Sequence, residues 1–493
     1  MGTPSLDAVV VGAGPNGLSA AVALAAAGLS VQVYEAADVV GGGARTGELT
    51  LPGFHHDLCS AVHPFGAGSP VFAGLALAEH GLTWLEPELP LAHPLDDGSA
   101  AVLARSVSET ATRLGRGGRG YRALVGPFVG RWPALAADVM RPIASGLPRH
   151  PVLLARFGAR ALLPAAATNR ALGSVSARAL LSGMAGHTGS PLNAPVTAGP
   201  ALMLAVAGHD VGWPIPAGGA QAIADALASL LGAHGGEITT GHPVTSLDDL
   251  PVARAYLLDT SPEALLTLAG RRLPDRYARR LARYRRGPGV FKLDYALREP
   301  VLWRADECRR AGTLHLGGTA DDVAVALRDV NRGHVADRPL VVCAQPSVVD
   351  PTRAPAGRHT FWAYAHVPNG WTGDRTDAIE RQIERFAPGF RDVVLARAAT
   401  GPAALERRNA NLVGGDIAGG AVYGRQALFR PVVARLPYAT PHPSVFLCSS
   451  STPPGPGVHG VCGYEAAQVV LRRVFGHRAA RSAPGSREDA PDG

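Results

Sequence analysis

The sequence predicts an α/β fold with more than one domain, and three observations predict it. A short apolar strand pattern, Ala8 to Val11, runs into a glycine turn and then a helix pattern of small residues. A second glycine-rich strand-to-helix junction stands more than 400 residues later, between Val445 and Gly460. The chain has 493 residues, 46% hydrophobic and 18% charged, too long for one core and too apolar to be disordered.

The opening reads "VVVGAGPNGLSAAVALAAAG", with Gly12, Gly14 and Gly17 in register and Pro15 at the helix start. The chemistry needs each glycine: Gly12 for the tight turn, Gly14 so that backbone can approach a pyrophosphate, Gly17 so that helix and strand pack closely. The helix N-terminus then offers unpaired N–H groups and the positive end of its dipole to phosphates. Val31 to Tyr34 resumes a strand pattern and ends at Glu35, 23 residues after Gly12, where a carboxylate accepts hydrogen bonds from a ribose diol. The unit is therefore Rossmann-like, and the apolar run from Gly17 to Tyr34 belongs to it rather than to a membrane span. Gly115, Gly117 and Gly120 repeat the spacing, but no apolar strand precedes them. They read as a surface turn, which leaves one dinucleotide site and no second site for a nicotinamide cofactor.

Which dinucleotide is bound follows from what comes next. Gly41 and Gly42 let the chain pass close to a ligand, and Arg45, followed by Thr46, offers its guanidinium to a phosphate or a flavin edge. Far downstream, "SVFLCSSSTPPGPGVHGVCGYEAAQVVL" carries a strand into a loop containing Gly457, Val458 and His459 and then into a helix starting near Gly460. Two such junctions usable on one elongated ligand favour FAD over NAD.

The set "GAGPNG", Glu35, "GGGART", "GWPIPAGGAQAIADAL", "LLDTSP" and "PPGPGVHGVCGYEAA" resembles the phytoene-desaturase-like branch of the flavin amine oxidase superfamily. Within it, "GPGVFKLDYAL", "HLGGT" and "DPTRAPAGRHTFWAY" are most similar to bacterial relatives of pyridine nucleotide-disulphide oxidoreductase domain-containing protein 2, although the chain holds no redox cysteine pair. The resemblance implies a Rossmann-like FAD-binding domain with an inserted α+β substrate domain. FAD-domain pieces would span 1–75, 205–285 and 430–475, substrate-domain pieces 76–204 (helical) and 286–429, and a disordered tail 476–493. It implies that the backbone of Val244 meets the adenine. It also implies that Lys292, on the strand-like run "GVFKLDYAL", holds a water against flavin N5. Lys292 is the only lysine among 47 basic residues, and lysine, unlike arginine, can be neutralised by burial. The alternative is that Lys292 pairs with Asp294 on the same face. Pro456 stands where related chains usually carry glycine, which removes one backbone N–H from the loop expected near the flavin pyrimidine.

The formal charge of +7 comes from scattered arginines beside acids, so nucleic acid is not an expected partner. Five cysteines without metal-ligand spacing and the lack of a leader pattern point to the cytoplasm. His187, His366 and His459 are candidate proton shuttles, with Lys292 and His459 the expected catalytic pair. His55, His56 and Asp57 mimic a metal cluster but lack a fourth ligand, so no metal is expected. The arginine–leucine segment from Arg149 to Leu181 reads either as ordinary surface helix or as a peripheral contact with an anionic membrane. The expected function is hydride transfer from a hydrophobic, isoprenoid-like or secondary-metabolite substrate to flavin. The alternatives are an amine oxidase using O₂ and a non-catalytic lipid-binding relative.

Overall fold

A computed structural model describes residues 6–143 and 146–477. The predicted tail lies outside them except for Gly476 and His477.

A five-stranded, all-parallel sheet runs in the order Val445–Leu447, Ala253–Leu258, Leu6–Val11, Val31–Tyr34, Glu237–Thr239. Its strands come from three widely separated stretches of chain, and the opening strand lies at the centre. Central parallel strands are covered on both faces, which is why Ala8 to Val11 form an unbroken apolar run. The helix Pro15–Ala25 follows the opening strand. It packs on the helix Val461–Arg473 so closely that a Cβ at Gly463 would lie 1.7 Å from the Asn16 carbonyl oxygen.

A second sheet has seven strands in the order Val394–Thr400, Gly289–Leu297, His359–Val367, Val341–Ala344, Ala311–Leu316, Leu89–Pro94, Ala100–Leu103. All pairs are antiparallel except Ala311–Leu316 with Leu89–Pro94. Phe291, Leu293 and Tyr295 face a core closed by Ile379, Ile383 and Phe386 of the helix Thr376–Phe386. Val290, Lys292 and Asp294 take the opposite face by strand alternation. Within 76–204, the piece expected to be helical, the arginine–leucine segment forms three helices, Pro151–Ala161, Ala165–Asn169 and Val175–Gly186.

One local expectation is corrected. The glycines at 115–120 are not a surface turn: Gly117, Gly118 and the start of the helix Gly118–Val125 are packed against neighbours, and a Cβ at Gly118 would lie 1.9 Å from the Ala111 carbonyl oxygen. Val244 lies in irregular chain: the edge strand ends at Thr239 and the chain turns back through Gly241 and His242 to bond Ala37 and Glu35. Among the described residues no helix is long and apolar enough to cross a membrane.

Candidate functional site

The first glycine turn is shaped by contact with Asp259, at the end of the neighbouring strand. Gly12 takes φ +101°, and a Cβ there would sit 2.9 Å from the Asp259 carbonyl oxygen. A Cβ at Gly14 would meet the Asp259 carboxylate at 2.8 Å, and one at Gly17 the Gly12 carbonyl at 2.0 Å. Gly42, with φ +54°, approaches Gly14 so that its Cβ position is 3.1 Å from the Gly14 Cα, and Gly41 N–H donates to the Ala13 carbonyl. Glu35 holds the turns together, accepting from Ala13 N–H (2.7 Å) and Ala37 N–H (2.9 Å). Pro15 takes the first helical position, where its missing N–H costs nothing. Next to it, Asn16 is buried and its Oδ1 has no partner. A buried unpaired amide oxygen beside a helix N-terminus, in a cradle too tight for side chains, fits a dinucleotide.

Sequence reasoning missed Asp259, although its place at a strand end beside the glycine turn was a usable signal. Its Oδ2 accepts from Gly17 N–H at 2.9 Å. Burial pushes its carboxyl up to about 7, opposed by the Gly17 hydrogen bond and reinforced by the Glu35 charge. A carboxyl that is easily neutralised here leaves the positive end of the helix dipole available to a pyrophosphate. Asn411 fixes the loop from the far side, donating to the Asp259 carbonyl (2.8 Å) and accepting from Ser261 N–H (2.7 Å).

Arg45 lines the cavity, but its Nε and Nη2 donate to the carbonyls of Gly42 (3.0 Å) and Arg408 (2.6 Å), so two of its donors tie loops together. Thr46, next in the chain, is not among the residues that bound the cavity. Its hydroxyl donates to Asp57 (2.8 Å) and accepts from Gln221 N–H (3.2 Å), which spends it on structure away from the cavity. Val244, with His242 beside it, lines the nucleotide end. In the closing loop Gly457 (φ +135°), Val458 and His459 line the cavity, and the helix behind them starts at Val461, capped by Gly460 at φ +69°.

His459 stands just before the helix Val461–Arg473. It is buried, and burial lowers its imidazole to about 4, with the Gly455 carbonyl opposing. Its Nδ1 accepts from Val461 N–H (3.1 Å), so the neutral ring caps the first turn of that helix. A residue without any sequence signal lies nearby. Arg430 is buried, and its guanidinium donates to the Tyr284 hydroxyl (2.7 Å) and the Gly419 carbonyl (3.0 Å), with no carboxylate bridging it among the described residues.

One cavity of about 1440 Å³ joins these groups to an apolar end lined by Phe157, Met203, Trp362 and Tyr364. Trp362 and Tyr364 stack with ring centroids 5.6 Å apart at 18°. Pockets for single small ligands run to about 1,000 Å³, so this volume holds a dinucleotide and a further molecule.

Lys292 is not among the residues bounding this cavity. It is buried and ion-paired with Asp294, and its Nζ lies 5.8 Å from the Trp362 ring centroid, one layer beneath the wall. The structure thus shows the alternative pairing, Lys292 with Asp294 on the same face of the strand. A buried ammonium needs a carboxylate, and strand alternation puts one two residues away on the same face. Burial raises the Asp294 carboxyl, with Lys292 opposing, and its Oδ2 has no partner.

Of the other histidines, His187 lines the cavity and its Nε2 bonds the Nε2 of buried His315 at 2.5 Å. Burial lowers His187 to about 4. His366 lies off the cavity wall, its Nε2 against the Gly186 carbonyl at 3.1 Å. His56 faces Asp294 at 3.8 Å and burial lowers it to about 3, while Asp57 is spent on Arg353 at 2.8 Å, on Thr46 and on Ala220 N–H. Among the described residues no three His, Cys, Asp or Glu side chains are placed to hold a metal.

Residues 10–76 match the model of the NAD(P)-binding Rossmann-like domain. The chain is 28% identical to pyridine nucleotide-disulfide oxidoreductase domain-containing protein 2 of Rattus norvegicus, over 95% of this chain and 94% of the relative. It superposes on an oxidoreductase from Methanosarcina mazei with TM-score 0.64 at 18% identity, covering 95% of this chain and 100% of the other. Putrescine oxidase bound to putrescine gives TM-score 0.62 at 19% identity, covering 95% and 99%. The glycine-built nucleotide cradle lies within the stretch that matches the Rossmann-like domain, and the two-sheet architecture is the fold these FAD-type oxidoreductases and amine oxidases share.

Proposed function

We propose that the protein oxidises a hydrophobic small molecule in the apolar end of the cavity by passing a hydride to bound FAD. The observation that carries this reading is the continuity of one cavity from the Gly12–Gly17 turn and Glu35 to the wall of Met203, Trp362 and Tyr364. FAD, when bound, supplies the hydride acceptor. Gly12, Gly14, Asn16 and Glu35 would hold its nucleotide portion, and Gly42, Arg45 and the loop Gly457–His459 would bound the rest.

The protein's own contribution is positioning and exclusion of water. The aromatic pair orients a flat or extended apolar substrate, while Phe157 and Met203 keep its surroundings dry. Neutral His187 is the half-buried base on this wall, able to take a proton at its ring and share it with His315 through their Nε2 contact. Lys292 acts on the wall from behind, by holding Asp294 and supporting Trp362.

The test is anaerobic bleaching of the flavin absorbance by a panel of apolar alkenes, terpenoids and amines. Bleaching by apolar compounds is expected, and bleaching by amines alone sinks this reading in favour of amine oxidation. That second reading is favoured by the likeness of fold to putrescine oxidase. A colourless protein that takes up no FAD sinks both.

A further inference from the structure

The helix Pro151–Ala161 is apolar on both sides. Inward, Leu153, Phe157 and Ala161 are buried, and Phe157, Gly158 and Ala161 line the cavity. Outward, Val152, Ala155 and Ala159 are exposed at helical spacing and lead into exposed Leu162 and Leu163. A soluble surface helix turns a polar face to water, whereas this one exposes Val152, Ala155 and Ala159 with Arg156 beside them. Val152 is 66% exposed and Leu147, just before the helix, 91% exposed. Ile143 and Leu162 are 61% and 51% exposed and also line the cavity, so the cavity reaches the surface at an apolar rim.

The charge around this rim has one sign. Between Asp138 and Asp210 the sequence has no acidic residue and six arginines. Arg149 and Arg156, on the helix and at its start, are exposed. The nearby carboxylate, Asp138, is turned inward and accepts from the N–H groups of Arg149 and His150, both at 2.7 Å.

We infer that this rim docks on an anionic lipid bilayer, with Val152, Leu162 and Leu163 in the interface and the arginines against lipid phosphates, so that a hydrophobic substrate enters the cavity from the membrane. The inference rests on the proposed hydrophobic substrate for its purpose, but not for its physics. An outward apolar stripe flanked by arginines is the pattern of a helix lying in the interface plane. A second copy of the chain is a poorer occupant, because a two-fold contact would set the arginine cluster against itself.

The test is co-sedimentation of the FAD-loaded full chain with phosphatidylcholine vesicles and with mixed phosphatidylcholine–phosphatidylglycerol vesicles. Partition to the mixed vesicles is expected to be roughly tenfold or more stronger and to fall with added salt. Arg149→Glu with Arg156→Glu should remove the preference for anionic lipid. Val152→Asp with Leu163→Asp should weaken partition to both vesicle types. Both double variants should keep the parent flavin spectrum and melting temperature. The inference is overturned by equal partition to the two vesicle types, by variants that bind like the parent, or by light scattering that shows a dimer broken by the same substitutions. Bleaching by none of the apolar compounds in detergent, with vesicle binding intact, would instead remove the proposed reaction and leave the docking surface standing.

Discussion

At the nucleotide end of the cavity the wall is mostly backbone: Gly12 and Gly14 approach Asp259 so closely that a Cβ would lie 2.9 and 2.8 Å from its atoms, and Gly42 packs on Gly14. At the other end it is side chains, Phe157, Met203, Trp362 and Tyr364, and it opens between Ile143 and Leu162 to the outside. A backbone wall fixes a ligand by hydrogen bonds whose geometry is set by chain spacing. A side-chain wall selects by shape and dryness and tolerates replacement of one apolar residue by another. The first end should therefore fail abruptly when altered, and the second gradually.

The sharpest break is Gly17→Ala. Its methyl would lie where the Gly12 carbonyl is 2.0 Å away, so the turn must open. Flavin content of the purified protein should drop at least about tenfold, measured by visible absorbance against total protein, as expected when close-packed backbone is forced apart. An A450-to-A280 ratio equal to that of the parent would show that the turn is not close-packed.

Next comes the buried pair under the apolar wall. Lys292→Met leaves the Asp294 carboxylate buried without its ammonium and should cost about 3–5 kcal/mol in denaturant unfolding. Lys292→Met with Asp294→Leu should recover most of the loss. A single variant as stable as the parent, with slow flavin reduction, would instead return Lys292 to a direct role in the chemistry.

Asp259 offers a pH-dependent comparison. Its carboxyl lies at about 7 in the folded chain against an ordinary 3.8, so its contribution to stability is full below 3.8 and is lost as pH rises through about 7. Asp259→Asn should raise the melting temperature of the FAD-free protein at about pH 8, where the parent buries a charge, and leave little difference at about pH 4. The smallest effect is expected of Glu35→Gln. One amide oxygen replaces two carboxylate oxygens facing Ala13 N–H and Ala37 N–H, which should weaken FAD binding roughly tenfold by titration calorimetry. An unchanged affinity would mean that Glu35 only ties the loops.

The same contrast governs how much the sequence disclosed. Gly12, Gly14, Gly17 and Glu35 were legible because a dinucleotide turn needs those residue types at those intervals, and strand, helix and strand patterns bracket them. The run Gly289–Leu297 was legible as a strand from its alternation of β-branched and aromatic residues with others. What Thr46, His459 and Lys292 do was not legible. Each is claimed by a partner whose position depends on tertiary packing, namely Asp57, Val461 N–H and Asp294. For Lys292 the partner was two residues away, and the reading as an ion pair was available. Rarity drew attention to the residue, but rarity carries no geometry. Arg430 was beyond reach because its carbonyl partners come from a loop whose fold has no local pattern.

The order of strands in the five-stranded sheet bears on the chain's synthesis. Leu6–Val11 pairs on one side with Val31–Tyr34 and on the other with Ala253–Leu258, which in turn pairs with Val445–Leu447. At roughly 5–20 residues per second on the ribosome, the first strand waits on the order of tens of seconds for its second neighbour. During that interval it presents an apolar, β-prone edge. The cradle for FAD is incomplete until the loop carrying Gly457 has emerged as well. Cofactor loading is therefore a late event, and a nascent chain paused before Val445 is a natural client for chaperones.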